Sequence, residues 1–306
     1  MSNLAVSTVQ LVKTYGDLKA LKEINLEVNE GELFGLIGPD GAGKTSLIRI
    51  LATLLLPDGG SAQVLGHEVV KDYKVIRNKM GYMPGKFSLY QDLTVLENLQ
   101  LFASIYETTV EENYHLIEDI YSQIEPFKDR RAGQLSGGMK QKLALSCAMI
   151  HQPEILFLDE PTTGVDPVSR NEFWEMLKKL KQKGITIIVS TPYMDEANLC
   201  DRVALIQDGN IMSIDTPQAV VSTFPVPLYA IKSSNKYLLL QGLRDYPHTA
   251  SVLAFGEFLH YTDKRGELPE LELLQYLKER NHSEVEISQI EAGIEDCFMA
   301  FMEKEN

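Results

Sequence analysis

The chain has 306 residues, with 43 acidic against 29 basic side chains and a formal net charge of −14. Its 44% hydrophobic and 24% charged content is that of a globular protein, long enough for one large domain and a small one. The negative balance argues against nucleic acid or anionic lipid as a general partner, and no segment has the apolar length that crosses a bilayer, so no direct lipid insertion is expected. The opening MSNLAVSTVQ lacks a signal-peptide pattern, which predicts a cytoplasmic chain that meets a membrane only through a partner.

Residues 4–30 alternate apolar and polar positions about turn signals at Gly16-Asp17 and Asn29-Glu30-Gly31, which predicts antiparallel strands. An apolar run over 32–37 leads into GPDGAGKT at 38–45, and a helix is expected from there to about Leu56, stopped by Pro57-Asp58-Gly59-Gly60. Residues 61–84 read as short strands and a small helix. From 93 to 150 the character is helical. The segment 95–107 sets Leu96, Leu99, Phe102 and Ala103 on one face, 110–124 makes a second helix, and a third runs from Gly137 to before Pro153.

Strand and helix then alternate: a buried strand at 155–158, a helix at 167–183 with Phe173, Leu177 and Leu180 inward, and an apolar strand at 185–190. Continuous apolar strands separated by helices predict a parallel sheet covered on both faces. Phe224-Pro225-Val226-Pro227 breaks the pattern. Beyond it, strands are expected at 229–232, 237–242 and 252–255, with helices at 269–279 and 294–303, as a small α+β domain.

GPDGAGKT, between a strand and a helix, is a phosphate-binding loop. Glycines at 38, 41 and 43 let backbone N–H groups turn inward, and the helix that follows adds its positive end. Lys44 supplies a point charge for β- and γ-phosphates, and the Thr45 hydroxyl is a hard ligand for Mg²⁺. In ILFLDEP, 155–161, a buried strand ends in two acids: Asp159 suits Mg²⁺, and Glu160 suits the proton of an attacking water. In LSGGMKQK, 135–142, Ser136 is an N-cap, and Gly137 and Gly138 leave N–H groups uncovered, giving a second anion site.

The order GPDGAGKT, LSGGMKQK, ILFLDEP resembles the nucleotide-binding subunit of an ATP-binding cassette (ABC) transporter over about residues 4–222. The tail ending in Gly293-Ile294-Glu295-Asp296-Cys297-Phe298 is similar to that of ABC-2-type exporters. The resemblance implies an α/β fold: a P-loop ATPase core of mixed sheet flanked by helices, an antiparallel β subdomain, a helical subdomain at about 93–150 and a small C-terminal α+β domain. Its implied domain bounds are 1–222 and 228–306. It implies ATP and Mg²⁺ as ligands, held by Tyr15 (stacking on adenine), by Gly38, Pro39, Asp40, Gly41, Ala42, Gly43, Lys44, Thr45 and Ser46, and by Thr45 and Asp159 for the metal, with Glu160 as catalytic base.

Ser136, Gly137 and Gly138 would contact ATP held by a second cassette, and Asp166 lies in the loop that crosses to it. An integral-membrane subunit would seat a helix on residues 86–110, where Phe87, Leu89 and Tyr90 either line that groove or pack into the core. The implied location is the cytoplasmic face of the cell membrane.

Two positions depart from the family pattern. Gly85 stands where a glutamine is usual, and Pro192 where a histidine is usual. Neither offers a donor to Mg²⁺, water or γ-phosphate, so hydrolysis at this chain's own site is expected to be slow, unless Lys86 or Tyr193 substitutes. The intact signature fits a helper role in a heterodimer. The rival readings are a soluble ATP-gated regulator and a nonhydrolysing dimerisation module. The three cysteines read as reduced thiols, the six histidines as unconnected with metal, and Trp174 as core.

Overall fold

The computed structural model describes residues 3–280, 282 and 284–305, with backbone only for 303–305. Its first elements are β1 (Leu4–Tyr15), β2 (Leu18–Asn29), β3 (Leu33–Ile37), α1 (Lys44–Leu51), β4 (Gly59–Val64), β5 (His67–Glu68), α2 (Tyr73–Lys79) and β6 (Met80–Met83). A helical stretch follows: α3 (Val95–Ile105), α4 (Val110–Tyr121) and α5 (Gly137–Met149). The chain then returns to sheet with β7 (Ile155–Asp159), α6 (Pro167–Gln182), β8 (Thr186–Thr191), β9 (Arg202–Gln207) and β10 (Asn210–Asp215). The remainder is α7 (Pro217–Ser222), β11 (Leu228–Lys232), α8 (Lys236–Arg244), β12 (Thr249–Phe255), β13 (Phe258–Asp263), α9 (Glu270–Glu279), β14 (Glu286–Ile290) and α10 (Ile294–Glu305).

The chain divides into two compact units, 1–217 and 218–306. In the first, an antiparallel sheet of order β2-β1-β4-β5 accompanies a six-stranded sheet of order β10-β9-β3-β8-β7-β6. The latter is parallel from β9 to β6, with β10 antiparallel at its edge. Every residue of β3, β7 and β8 is buried, as expected of strands covered on both faces. Leu21, Leu47, Ile50, Phe157 and Ile206 belong to one apolar core. The second unit is an antiparallel sheet of order β12-β13-β11-β14 with helices, around Ile231, Leu243, Tyr261 and Leu273.

Three local expectations are corrected. The helix after the phosphate loop ends at Leu51, because Thr53 turns left-handed at φ 59°, with its hydroxyl and carbonyl both held by Arg77 at 2.8 Å. Residues 237–242 are helical: Asn235 caps Leu238 N at 3.1 Å, and Leu239 and Leu243, one turn apart, are buried. A short run of leucines satisfies both periods, and the cap decides. In α3 the inward face carries Val95, Asn98, Leu99 and Ala103, leaving Leu96 and Phe102 half-buried. Asn98 is inward because its amide clamps the preceding loop at Tyr90 N and Tyr90 O, both 3.0 Å.

The three cysteines are free and buried, and Trp174 is buried. His260 pairs with buried Asp296 at 2.7 Å. Among the described residues no group of three or more His, Cys, Asp or Glu is disposed to hold a metal ion.

Candidate nucleotide site

β3, β8 and β7 lie side by side and parallel, so their C-terminal ends open on one edge of the sheet. That edge is where α/β folds bind ligands. The loop leaving β3 is the glycine-rich one. A Cβ at position 43 would sit 2.4 Å from Ala20 O, and the residue has φ 108°, so only glycine fits. A Cβ at 38 would meet Ile206 O at 2.1 Å. Helix α1 starts at Lys44 without a side-chain cap, which leaves the N–H groups of its first turn available to an anion.

Lys44 is buried, and its ammonium donates to Gly38 O at 2.7 Å and Pro39 O at 2.9 Å, with Glu160 Oε1 at 3.1 Å. Its three protons thus have three partners, and one of them is the carboxylate read as the base. Thr45 Oγ1 donates to Asp159 Oδ1 at 3.0 Å across 114 positions of sequence. Ser190, paired with Asp159 across the β7–β8 ladder, donates to the same oxygen at 2.9 Å. Burial pushes the Asp159 carboxyl above its ordinary range, and the Ser190 and Thr45 hydroxyls pull it back.

Glu160 has φ 50°, in the left-handed region, and its N–H is held by Ser190 O at 3.1 Å and Ser190 Oγ at 3.0 Å. Such a conformation costs roughly 1–3 kcal/mol and persists where its surroundings over-determine it.

A cleft of about 370 Å³ is lined by Tyr15, Leu18 and Ala20 from the antiparallel sheet and by Asp40, Lys44 and Glu160, among others, from the loops. The Tyr15 ring is half-exposed, its hydroxyl 3.4 Å from Ser46 Oγ and Lys13 Nζ 5.6 Å from its ring centre. Gly41, Gly43, Thr45 and Ser46 line the same cleft, whereas Ala42 is buried and donates its N–H to Pro39 O at 3.3 Å.

Ser136, Gly137 and Gly138 are not among the cleft's lining residues. Ser136 caps α5 by accepting from Met139 N at 3.3 Å, and both it and Gly137 are exposed. Gly138 is buried, and a Cβ there would meet Ser169 Oγ at 2.5 Å, so this glycine permits close packing of α5 on α6. Asp166 caps α6 by accepting from Ser169 N at 3.0 Å. Leu89 is buried and Tyr90 exposed.

A Cβ at Gly85 would lie 3.0 Å from Asp159 O and 3.8 Å from Glu160 Cβ, so position 85 abuts both acids and presents nothing to them. Pro192 directly follows β8 and is half-buried. Lys86 is exposed and the Tyr193 ring lies 4.2 Å beneath the Arg170 guanidinium; neither lines the cleft. Sequence reasoning missed Ser190, Leu18 and the Thr162–Thr191–Glu196 hydrogen bonds, because serine, leucine and threonine at those positions carry no motif.

The model of the ABC transporter family matches residues 21–163. The Nod factor export ATP-binding protein I of Rhizobium sp. strain N33 is 34% identical over 267 residues, covering 86% of this chain and 88% of that one. The chain belongs to the ABC transporter family. Its relatives in that family are named as ATP-binding proteins. YbhF of Escherichia coli strain K12, named as a probable multidrug ABC transporter ATP-binding protein, is 39% identical over 259 residues. The match takes in 83% of this chain and 45% of YbhF, so the chain spans less than half of that relative. A solved cassette, a dimer in a post-hydrolysis state bound to ADP and Pi, superposes with a TM-score of 0.63 at 28% identity, covering 69% of this chain and 98% of that one.

Proposed function

We propose that this cassette hydrolyses ATP to drive export through a separate integral-membrane subunit, held by that contact at the cytoplasmic face of the cell membrane. The observation that carries the reading is the meeting of Lys44, Thr45, Asp159 and Glu160 at one sheet edge, at a glycine-rich loop in which a Cβ at position 43 would strike Ala20 O at 2.4 Å. Among the described residues no helix is long and apolar enough to cross a membrane, and the reading assigns the spans to the partner. Export is what the Rhizobium relative is named for.

Tyr15 stacks on the adenine, and the amides of 38–46 cradle the triphosphate. Lys44 gives up Glu160 and turns to β- and γ-phosphate oxygens. Thr45 and Asp159 are the residues that would hold Mg²⁺, which when bound offsets charge on the phosphates. Glu160, released from Lys44, accepts a proton from water as the water oxygen bonds to the γ-phosphorus and the bond to the β–γ bridging oxygen breaks, leaving ADP and phosphate. Ser136, Gly137 and Gly138 close over the γ-phosphate in a second cassette's loop, and residues 86–110 receive a helix of the membrane subunit.

Gly85 and Pro192 leave the base without two donors, and each lost transition-state donor costs about two to three decades in rate. The same two residues favour a heterodimer in which this chain lends its signature to a partner with a full site. They also favour, as a second reading, a nonhydrolysing dimerisation module.

Titration with a fluorescent ATP analogue and Mg²⁺ should show binding that Lys44→Ala abolishes; binding undiminished in that variant overturns the reading. Turnover of the parent should be low and should rise about tenfold or more with Pro192→His. Gly85→Gln adds to it once the loop yields a few tenths of an ångström at Asp159 O, 3.0 Å away. A fast parent that neither change improves refutes the slow-site proposal. Two equally active sites in a homodimer, counted by ATP-dependent sizing and product yield, refute the heterodimer.

A further inference from the structure

Behind the Glu160 turn lies a buried carboxylate that the chemistry above does not use. Glu196 is 2% exposed, in the 3₁₀ turn Met194–Leu199 that follows β8. Its Oε1 accepts from Thr162 Oγ1 at 2.9 Å and meets Arg170 Nε at 3.2 Å, while its Oε2 accepts from Thr191 Oγ1 at 2.5 Å. A carboxylate withdrawn from water survives only when paired and hydrogen-bonded. Here the three partners come from three different segments.

Each partner leads to the nucleotide site. Thr162 is two residues beyond Glu160, in the turn where Thr163 Oγ1 reaches Glu160 Oε2 at 3.4 Å. Thr191 ends β8; its carbonyl accepts from Gly38 N at 3.3 Å, and its neighbour Ser190 holds Asp159 and the Glu160 N–H. Arg170 is in the first turn of α6, next to Ser169, which packs on Gly138. Glu160 itself sits at φ 50° and needs its surroundings to hold it there. Ser190 grips that turn at the Glu160 amide. Downstream, the grip is Thr162 on Glu196.

We propose that Glu196 is a positioning residue for the base: by fastening Thr162 to Thr191 it sets the direction in which Glu160 presents its carboxylate. The inference rests on the reading of Glu160 as base.

The full chain is compared with Glu196→Ala, Glu196→Gln and Thr162→Val. Affinity for fluorescent ADP, ATP turnover and amide exchange at 160–163 are measured. Turnover is followed both in the parent and in a Gly85→Gln/Pro192→His background. Glu196→Ala should lower turnover about tenfold or more while ADP affinity stays within about twofold, since an uncoupled base spoils the chemical step and leaves binding intact. Glu196→Gln keeps an acceptor for the threonines and should recover turnover to within about threefold of the parent. Thr162→Val, which removes only the hydroxyl that is tied down, should reproduce the alanine loss and add nothing to it in the double variant. Exchange at 160–163 should quicken in Glu196→Ala, with β7 unchanged.

Unaltered turnover and exchange in Glu196→Ala, a fall in ADP affinity that matches the fall in turnover, or additive losses would each overturn the proposal. If Glu196→Ala fails to fold, Thr162→Val decides, and a variant equal to the parent overturns it. Failure of the parent to bind ADP sinks the nucleotide reading instead. If neither background turns over, unchanged exchange at 160–163 overturns the role of Glu196, and quickened exchange supports it.

Discussion

Asp159 carries opposing demands. Its carboxyl is buried, which raises its pKa, yet the role proposed for it needs the charge. A folded pKa above the unfolded value means that the folded chain holds the extra proton, so the desolvation penalty is absent below the ordinary carboxylate range and grows as pH rises through it. Asparagine keeps an oxygen for the Thr45 and Ser190 hydroxyls and removes the charge. Asp159→Asn should therefore melt at or above the parent near neutral pH, with the gap closing toward acid, while ATP turnover with Mg²⁺ is lost. A lower melting temperature at neutral pH would mean that the charge stabilises the fold. At Gly43 the constraint is steric. Gly43→Ala forces a Cβ to within 2.4 Å of Ala20 O at φ 108°, and should abolish nucleotide binding even where the chain still folds, as read by titration with labelled ATP. The glycine spacing was legible in the string GPDGAGKT; that Ala20 is the obstacle was not, since a hairpin 23 positions upstream supplies it.

Helices α3 and α4 each begin with a complete capping box, Thr94 with Glu97 and Thr109 with Glu112. Both are readable as Thr-x-x-Glu in the sequence, because the partners are three residues apart and need nothing else. Thr94→Ala should cost about 1 kcal/mol in urea denaturation with an unchanged slope. Local pattern fails where a short run fits two periods or where a side chain's partner lies outside its own element. Leu238, Leu239 and Leu240 suit a strand and a helix alike, and Asn98 breaks the apolar face of α3 because a loop eight residues upstream needs its amide. The Ser190–Asp159 contact is of the same kind: it depends on β7 and β8 being adjacent and in register, a pairing between segments about 30 residues apart.

At the scale of the whole molecule, each of the two units has its own apolar core, and every residue that lines the cleft lies in the first. Nucleotide at a hundredfold excess over its Kd stabilises the bound form by about 2.7 kcal/mol. Amide exchange in β3, β7 and β8 should slow accordingly on adding ATP, while amides of β11 and β13 keep their rates. Slowing of equal size in both units would show that they unfold as one.

By itself the sequence determined what neighbouring residues can build: a phosphate loop, a buried strand ending in two acids, a capped glycine helix start and their order, which together name the family. Tertiary structure alone decided that Lys44 rests on Glu160, that Ser190 of β8 holds Asp159 and the Glu160 N–H at the end of β7, and that Glu196 ties Thr162 to Thr191. Those are contacts between side chains distant in sequence, and only a parallel sheet in fixed register brings them within hydrogen-bonding reach.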